Sequence, residues 1–315
     1  MGQIADYIAL AKPRVTIMVL GTAGLGLYMA PASLSPGRVA GSLIGTALIV
    51  AAANALNMYI ERDIDGLAPR TKKRPLPAGR LSAQAALRFA VVLALLALPL
   101  LALCANPLTA LLGLIAFVVY IAAYTPMKQT SPGALVVGAI PGAMPPLMGW
   151  TAATGQLDLA GLTLFSILFL WQLPHFLAIS LYRRSEYQRA GYRLTVIEHG
   201  TSTAKMQIVL YLLALCPVTL LLVPLGLGHA LYLWTALLSG LGFLGVGVYG
   251  LRAAAGARWA RMLFSGSLVY LMVLSAALVA DRALSPSSPW GPLSPRTIHP
   301  AMSDQPGPVE LQSRR

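Results

Sequence analysis

The chain has 315 residues, of which 57% are hydrophobic and only 10% charged, with a net charge of +13. A water-soluble chain of this size carries about 25% charged residues, and the mean hydropathy is +0.71. Lipid is therefore the expected solvent for most of the length. The excess charge does not argue for nucleic acid, because the basic residues lie between apolar runs and not on one soluble domain. Cys104 and Cys216 each lie inside an apolar stretch and read as small core residues, not as a disulfide. No secretory leader is expected, since residues 1–12 contain no apolar region ending in a small-residue cleavage site.

A bilayer core of about 30 Å needs about 20 apolar residues of helix. Runs of that kind lie near 13–31, 38–60, 86–105, 107–125, 133–150, 160–182, 206–226, 229–251 and 262–280. The expected fold is an all-α, nine-helix integral membrane bundle. The third and fourth spans are divided at Asn106-Pro107, a turn-forming pair. The membrane domain is expected over 1–283. Residues 284–315, rich in Pro and Ser, read as a disordered tail.

With nine spans, Lys12, Arg14, the 62–88 loop, Lys128, the 183–205 loop and the 252–261 loop share one side. They hold 18 of the 23 Lys and Arg. Arg38, Arg282, Arg296, Arg314 and Arg315 lie on the other side. By the positive-inside rule the N-terminus is cytoplasmic and the C-terminus external, in a bacterial inner membrane or, in a eukaryote, the mitochondrial inner membrane.

The second span runs into Asn57-Met58-Tyr59-Ile60-Glu61-Arg62-Asp63-Ile64-Asp65. Asn57, Glu61 and Asp65 are spaced i, i+4, i+8, on one helical stripe. Three oxygen-bearing side chains in a row suit Mg²⁺, which shares its ligands with substrate phosphates. Their position, close behind an apolar run, favours function over solvated decoration. Asp63 points off the stripe. The following Pro/Gly-rich loop holds Arg70 and Arg74, four apart and able to face the acids as phosphate binders. Lys72, Lys73 and Arg80 read better as a membrane-surface anchor. Tyr124 and Lys128, four apart at the end of the fourth span, can also reach a diphosphate. The sixth span carries His175 within an apolar helix, where a partner is needed. It continues to Arg183, Glu186 and Tyr187, which place a second acid at the same face.

These segments together resemble the UbiA superfamily of intramembrane prenyltransferases, and within it the branch that acts on heme. The segments are Lys12-Pro13-Arg14, the Asn57/Glu61/Asp65 stripe, Arg70-Thr71 with Arg74-Pro75, Tyr124-Thr125-Pro126-Met127-Lys128, Pro145-Pro146-Leu147-Met148-Gly149-Trp150, and Trp171-Gln172-Leu173-Pro174-His175-Phe176. The resemblance runs from about residue 11 to 281. Glu61 stands where most members have Asp, and Ser185-Glu186 replaces an acidic pair.

The resemblance implies nine helices around a central cavity, and farnesyl diphosphate and heme B as substrates. In the implied reaction the 2-vinyl group is alkylated and water adds, giving heme O. It implies Mg²⁺ on Asn57, Glu61 and Asp65, with Glu186 at a second acidic site. Arg70, Arg74 and Lys128 would bind diphosphate, and Tyr124, His175, Arg183, Glu186 and Tyr187 would contact substrate. His175 would ligate heme iron or orient the porphyrin, with a structural, hydrogen-bonded histidine as the competing reading. Heme A synthase or terminal-oxidase assembly proteins would be its neighbours. The rival readings are a superfamily enzyme for a quinone precursor or another tetrapyrrole, and a transporter.

The charge asymmetry is tested by topology. A reporter fused after Asp281 should report the external side, and one inserted near Gly79 the internal side. If both report one side, the nine-span reading falls.

Overall fold

The computed structural model describes residues 2–67 and 71–284. Arg70 and the tail from residue 285 lie outside the described residues. Among those described, the chain forms α-helices and one π-helical turn, with no strand.

The chain opens with α1 (Gly2–Ala11) and α2 (Pro13–Met29), bent by 42° at Lys12. The bend follows from Pro13, which crowds the preceding residue out of the right-handed helical region. Lys12 takes the left-handed conformation, with φ 47°, although it is not a glycine. Next come α3 (Pro36–Ile60), α4 (Arg62–Asp65), α5 (Ala83–Cys104) and α6 (Pro107–Val118). Asn106 separates α5 from α6 as expected. Its Oδ1 accepts from Thr109 N at 2.9 Å, capping α6, while its Nδ2 donates to Thr151 O at 2.7 Å. A π-helical turn, Val119–Tyr124, then leads into α7 (Thr125–Met127).

The remaining elements are α8 (Ala134–Thr154), α9 (Leu159–Tyr182), α10 (Arg184–Arg189), α11 (Thr195–Glu198), α12 (Gly200–Leu220), α13 (Ala230–Tyr249) and α14 (Ala257–Leu284). Eight helices are long and apolar enough to cross a membrane, and the bent α1–α2 pair would make a ninth. The seventh expected span is displaced, since α12 starts at Gly200 and stops at Leu220. Hydropathy marks the apolar stretch, but the polar first turn, Gly200 to Lys205, is helical as well. A turn containing Gly226 at φ 74° occupies what was expected to be its end.

The fold is that of a multi-pass membrane protein. Leu95, Leu103, Leu238, Val269 and Met272 are exposed on the outside of the spans, where acyl chains replace water. Helix packing in such a solvent relies on small residues that let backbones approach. At Gly26 an added Cβ would collide with the Pro146 carbonyl, and at Gly149 with the Ala23 carbonyl. The α2–α8 crossing is therefore set by two glycines, one on each helix. Gly41 and Gly45 do the same for α3 against Cys104 and Leu101 of α5. Cys104 and Cys216 are free and half-buried.

The ends away from the basic loops are tied by side chains on backbone. Arg38 donates to the carbonyls of Cys104 (3.0 Å) and Ala105 (2.6 Å), and Arg282 donates to Ala30 O (3.1 Å). The buried Asp281 accepts from His229 N.

Gly149→Ala should lower the melting temperature in detergent, since overpacking costs about 1–3 kcal/mol. Gly24→Ala, on a face of α2 with nothing within 4 Å, should leave it unchanged. Equal effects of the two would show that the close crossing is not what Gly149 provides.

Candidate active site

A cavity of about 850 Å³ opens among the basic loops, and its polar wall is built on the end of α3. The helix breaks at Glu61, yet Glu61 N still bonds to Asn57 O (2.9 Å) and Asp65 N to Glu61 O (2.8 Å). The i, i+4, i+8 register therefore carries through the break. Asn57, Glu61 and Asp65 all line the cavity and are 1%, 5% and 3% exposed. Asp63 lies off the stripe, with 86% of its side chain exposed near Arg62.

Ionised carboxylates buried to this degree need partners. Glu61 Oε1 receives Lys128 Nζ at 2.8 Å, and Asp65 Oδ2 receives Arg74 Nη1. Arg74 is brought back by a folded loop. Thr71 Oγ1 donates to Asp65 O at 2.7 Å, and Arg74 N donates to Thr71 O at 2.9 Å. Lys128 lies 4.5 Å from the centre of the Tyr124 ring, a cation–π contact that steadies its stem.

The π-helical turn supplies part of this wall. Tyr120 and Tyr124, both within it, line the cavity. Thr125 Oγ1, just beyond, donates to Tyr120 O at 2.8 Å and accepts from Asn57 Nδ2 at 3.2 Å. The expected plain helix over 107–125 misses this register change. Such π insertions are enriched at functional sites.

A third cation escaped the residue-by-residue reading. Lys12 Nζ lies 3.5 Å from Asn57 Oδ1 and lines the cavity. Its left-handed backbone is a strain of the kind held at functional sites. A Lys before a Pro at the head of a span was the available signal. Tyr192, on the loop before α11, also reaches the cavity. Burial, followed by the charges of Glu61 and Asp65, raises its phenol above the ordinary range.

The candidates at the end of α9 and on α10 stand apart from the carboxylate stripe. Arg183, Glu186 and Tyr187 line the same cavity, and Arg183 Nη1 is 3.3 Å from Glu186 Oε2. Glu186, with 54% of its side chain exposed, is not gathered with Glu61 and Asp65. Among the described residues no group of three His, Cys, Asp or Glu could hold a metal ion. Any ion bound here would rest on Asn57 and two carboxylates, leaving coordination positions for ligand oxygens.

His175 does not line the cavity, although its neighbours Phe176 and Leu177 do. It is 9% exposed and turned toward α14, with Nδ1 2.7 Å from Ser267 Oγ. On the same helix Gln172 Nε2 donates to Ala139 O at 2.8 Å, and Leu135, Phe176 and Leu177 give the cavity an apolar part of its lining.

Residues 18–274 match the model of the UbiA prenyltransferase family. The chain is 49% identical over 278 residues to the protoheme IX farnesyltransferase of Myxococcus xanthus, covering 88% of this chain and 95% of that one. It is 51% identical over 248 residues to the protoheme IX farnesyltransferase of Sorangium cellulosum, covering 79% and 89%. The solved structure of digeranylgeranylglyceryl phosphate synthase superposes with a TM-score of 0.78 at 16% identity, covering 89% of this chain and 99% of that one. A UbiA homolog from Archaeoglobus fulgidus bound to DMAPP and Mg²⁺ superposes at 0.66 with 14% identity, covering 87% and 99%. The chain belongs to the UbiA prenyltransferase family.

Proposed function

We propose that the protein transfers a farnesyl group from farnesyl diphosphate to the 2-vinyl group of heme B, with addition of water, giving heme O and diphosphate. The acceptor is taken from the two relatives named above, each a protoheme IX farnesyltransferase matched over most of its length. The observation that carries the chemistry is the buried cluster itself. Three cations, Lys12, Arg74 and Lys128, lie with two carboxylates, Glu61 and Asp65, in a cavity that Arg183, Glu186 and Arg189 also line, so its described lining carries more positive than negative charge.

A diphosphate ester carries about three negative charges, and with one divalent cation about one remains. The cluster and that complex are therefore complementary in charge. Asn57, Glu61 and Asp65, oxygen donors on successive turns, fit Mg²⁺, which when bound would neutralise the leaving group as a Lewis acid. Arg74, Lys128 and Lys12 place fixed positive charge where negative charge develops as the C1–O bond breaks. Arg70 belongs with them as a further phosphate contact.

Leu135, Phe176 and Leu177, which line the same cavity, give the isoprenoid an apolar wall. That wall keeps water from the allylic cation until the vinyl π electrons bond to C1. The cation left beside the porphyrin is captured by water, which then loses a proton. Tyr124, Arg183, Glu186 and Tyr187, around the mouth, contact the substrates, with Glu186 serving a second acidic site. The setting is a bacterial inner membrane, with heme A synthase or oxidase assembly proteins as the downstream partners.

The purified protein incubated with farnesyl diphosphate, heme B and Mg²⁺ should yield a heme whose mass has risen by a farnesyl group plus a hydroxyl group, together with free diphosphate. Diphosphate release with a prenylated quinone precursor and unchanged heme would overturn the acceptor. No release with any acceptor would overturn transfer altogether.

Asp65→Ala should cut turnover by about 100-fold or more, the scale of losing an electrostatic catalytic contact, with the protein still inserted in membranes. Asp63→Ala, off the stripe, should stay within about 3-fold of the parent. Near-normal heme O from well-expressed Asp65→Ala would remove Asp65 from the site.

A further inference from the structure

Ser267, on α14, is fully buried and meets α9 at two points. Its backbone oxygen accepts from Trp171 Nε1 at 2.7 Å, and its Oγ lies 2.7 Å from His175 Nδ1. The same Oγ is 2.6 Å from Phe264 O, one turn back on its own helix. Two oxygens that close repel each other unless a proton lies between them. The single hydroxyl proton of Ser267 therefore points at the Phe264 carbonyl. What faces His175 is an oxygen lone pair, so Nδ1 must be the donor. A neutral imidazole protonated at Nδ1 carries its lone pair at Nε2.

That second nitrogen has no hydrogen-bond partner among the described residues. It is also not one of the polar atoms sealed without a partner, as both ring nitrogens of His229 are. A histidine with a purely structural role normally has both nitrogens satisfied. The ring is also clamped in orientation. Trp171 stacks on it with centroids 4.9 Å apart and planes 25° apart, Phe264 approaches to 4.7 Å, and Phe176 presents an edge at 5.4 Å. Phe176, which lines the cavity and is 41% exposed, adds an apolar surface beside the imidazole.

We propose that Ser267 is a positioning residue: it fixes His175 in the Nδ1-protonated tautomer, so that the Nε2 lone pair is left free for the iron of the heme acceptor. Partners of this kind orient ligating histidines and raise their basicity. The proposal rests on heme being the acceptor, and adds which atom holds it and which residue sets that atom's protonation.

Ser267→Ala is a narrow test, because the Trp171 bond goes to backbone and survives the substitution. ¹⁵N spectra of the histidine-labelled, heme-free protein in bilayers should show His175 protonated at Nδ1 and bare at Nε2. The pattern should be lost in Ser267→Ala. Heme B titrated into the parent should give the absorbance of an imidazole-ligated iron. That signature should vanish in His175→Ala. In Ser267→Ala the affinity should fall about 10-fold, with binding of a non-hydrolysable farnesyl diphosphate analogue unchanged.

A parent spectrum showing the proton on Nε2 overturns the proposal without touching the proposed reaction. So does an unchanged heme spectrum in His175→Ala that still makes heme O. If the parent prenylates some other acceptor and leaves heme unaltered, the functional reading fails, and iron ligation fails with it. The ¹⁵N result then decides separately whether Ser267 sets the tautomer. Loss of heme and analogue binding together in Ser267→Ala would mark a general packing role and overturn the proposal.

Discussion

Glu61 and Asp65 lie where the chain leaves its second apolar helix, almost wholly removed from solvent. An ionised carboxylate in such a place costs several kcal/mol unless it is paired and hydrogen-bonded. The cations that meet this demand come from distant parts of the chain: Lys128 from beyond α7, Arg74 from the loop after α4 and Lys12 from the break before α2. Each connection must therefore take a particular course. The left-handed backbone at Lys12, the folded loop that returns Arg74 and the π-helical turn below Lys128 are three local departures from regular helix around this one cluster. A left-handed non-glycine residue and a π-helical turn beside one buried charge cluster are features of a functional site in a membrane bundle.

The glycines of the α2–α8 and α3–α5 crossings serve the same end by a different route. Close backbone approach holds the helices that carry the site without consuming polar groups, which are scarce in a chain only 10% charged. Polar side chains are kept for the cavity and, at the opposite end, for capping free carbonyls, as Arg38 and Arg282 do.

Much of this was legible in the residues. The Asn57/Glu61/Asp65 spacing requires only local helix geometry, and the register survives the break at Glu61 because the i, i+4 bonds continue across it. Asn106-Pro107 announced the α5–α6 turn through its own cap chemistry. Lys12 was legible only as part of Lys12-Pro13-Arg14, because its contact with Asn57 depends on how the α1–α2 break packs against α3. Ser267 was hidden for the same reason: a small polar residue in an apolar helix has meaning only once His175 is known to face it. Glu186 reads as a second acidic site, and the surface helix α10 sets it on the cavity lining apart from Glu61 and Asp65, half-exposed and beside Arg183.

The central claim is that the two carboxylates act on diphosphate through a divalent cation and would otherwise repel it. Calorimetric binding of inorganic diphosphate to the parent and to Asp65→Asn, with and without Mg²⁺, tests this directly. With Mg²⁺ the substitution should weaken binding by about 10-fold or more, the loss of a metal ligand. Without Mg²⁺ it should leave binding equal or tighter, because a negative charge has been removed from beside the anion. A weakening of the same size in both conditions would mean that Asp65 merely holds Arg74 in place, and would contradict the account.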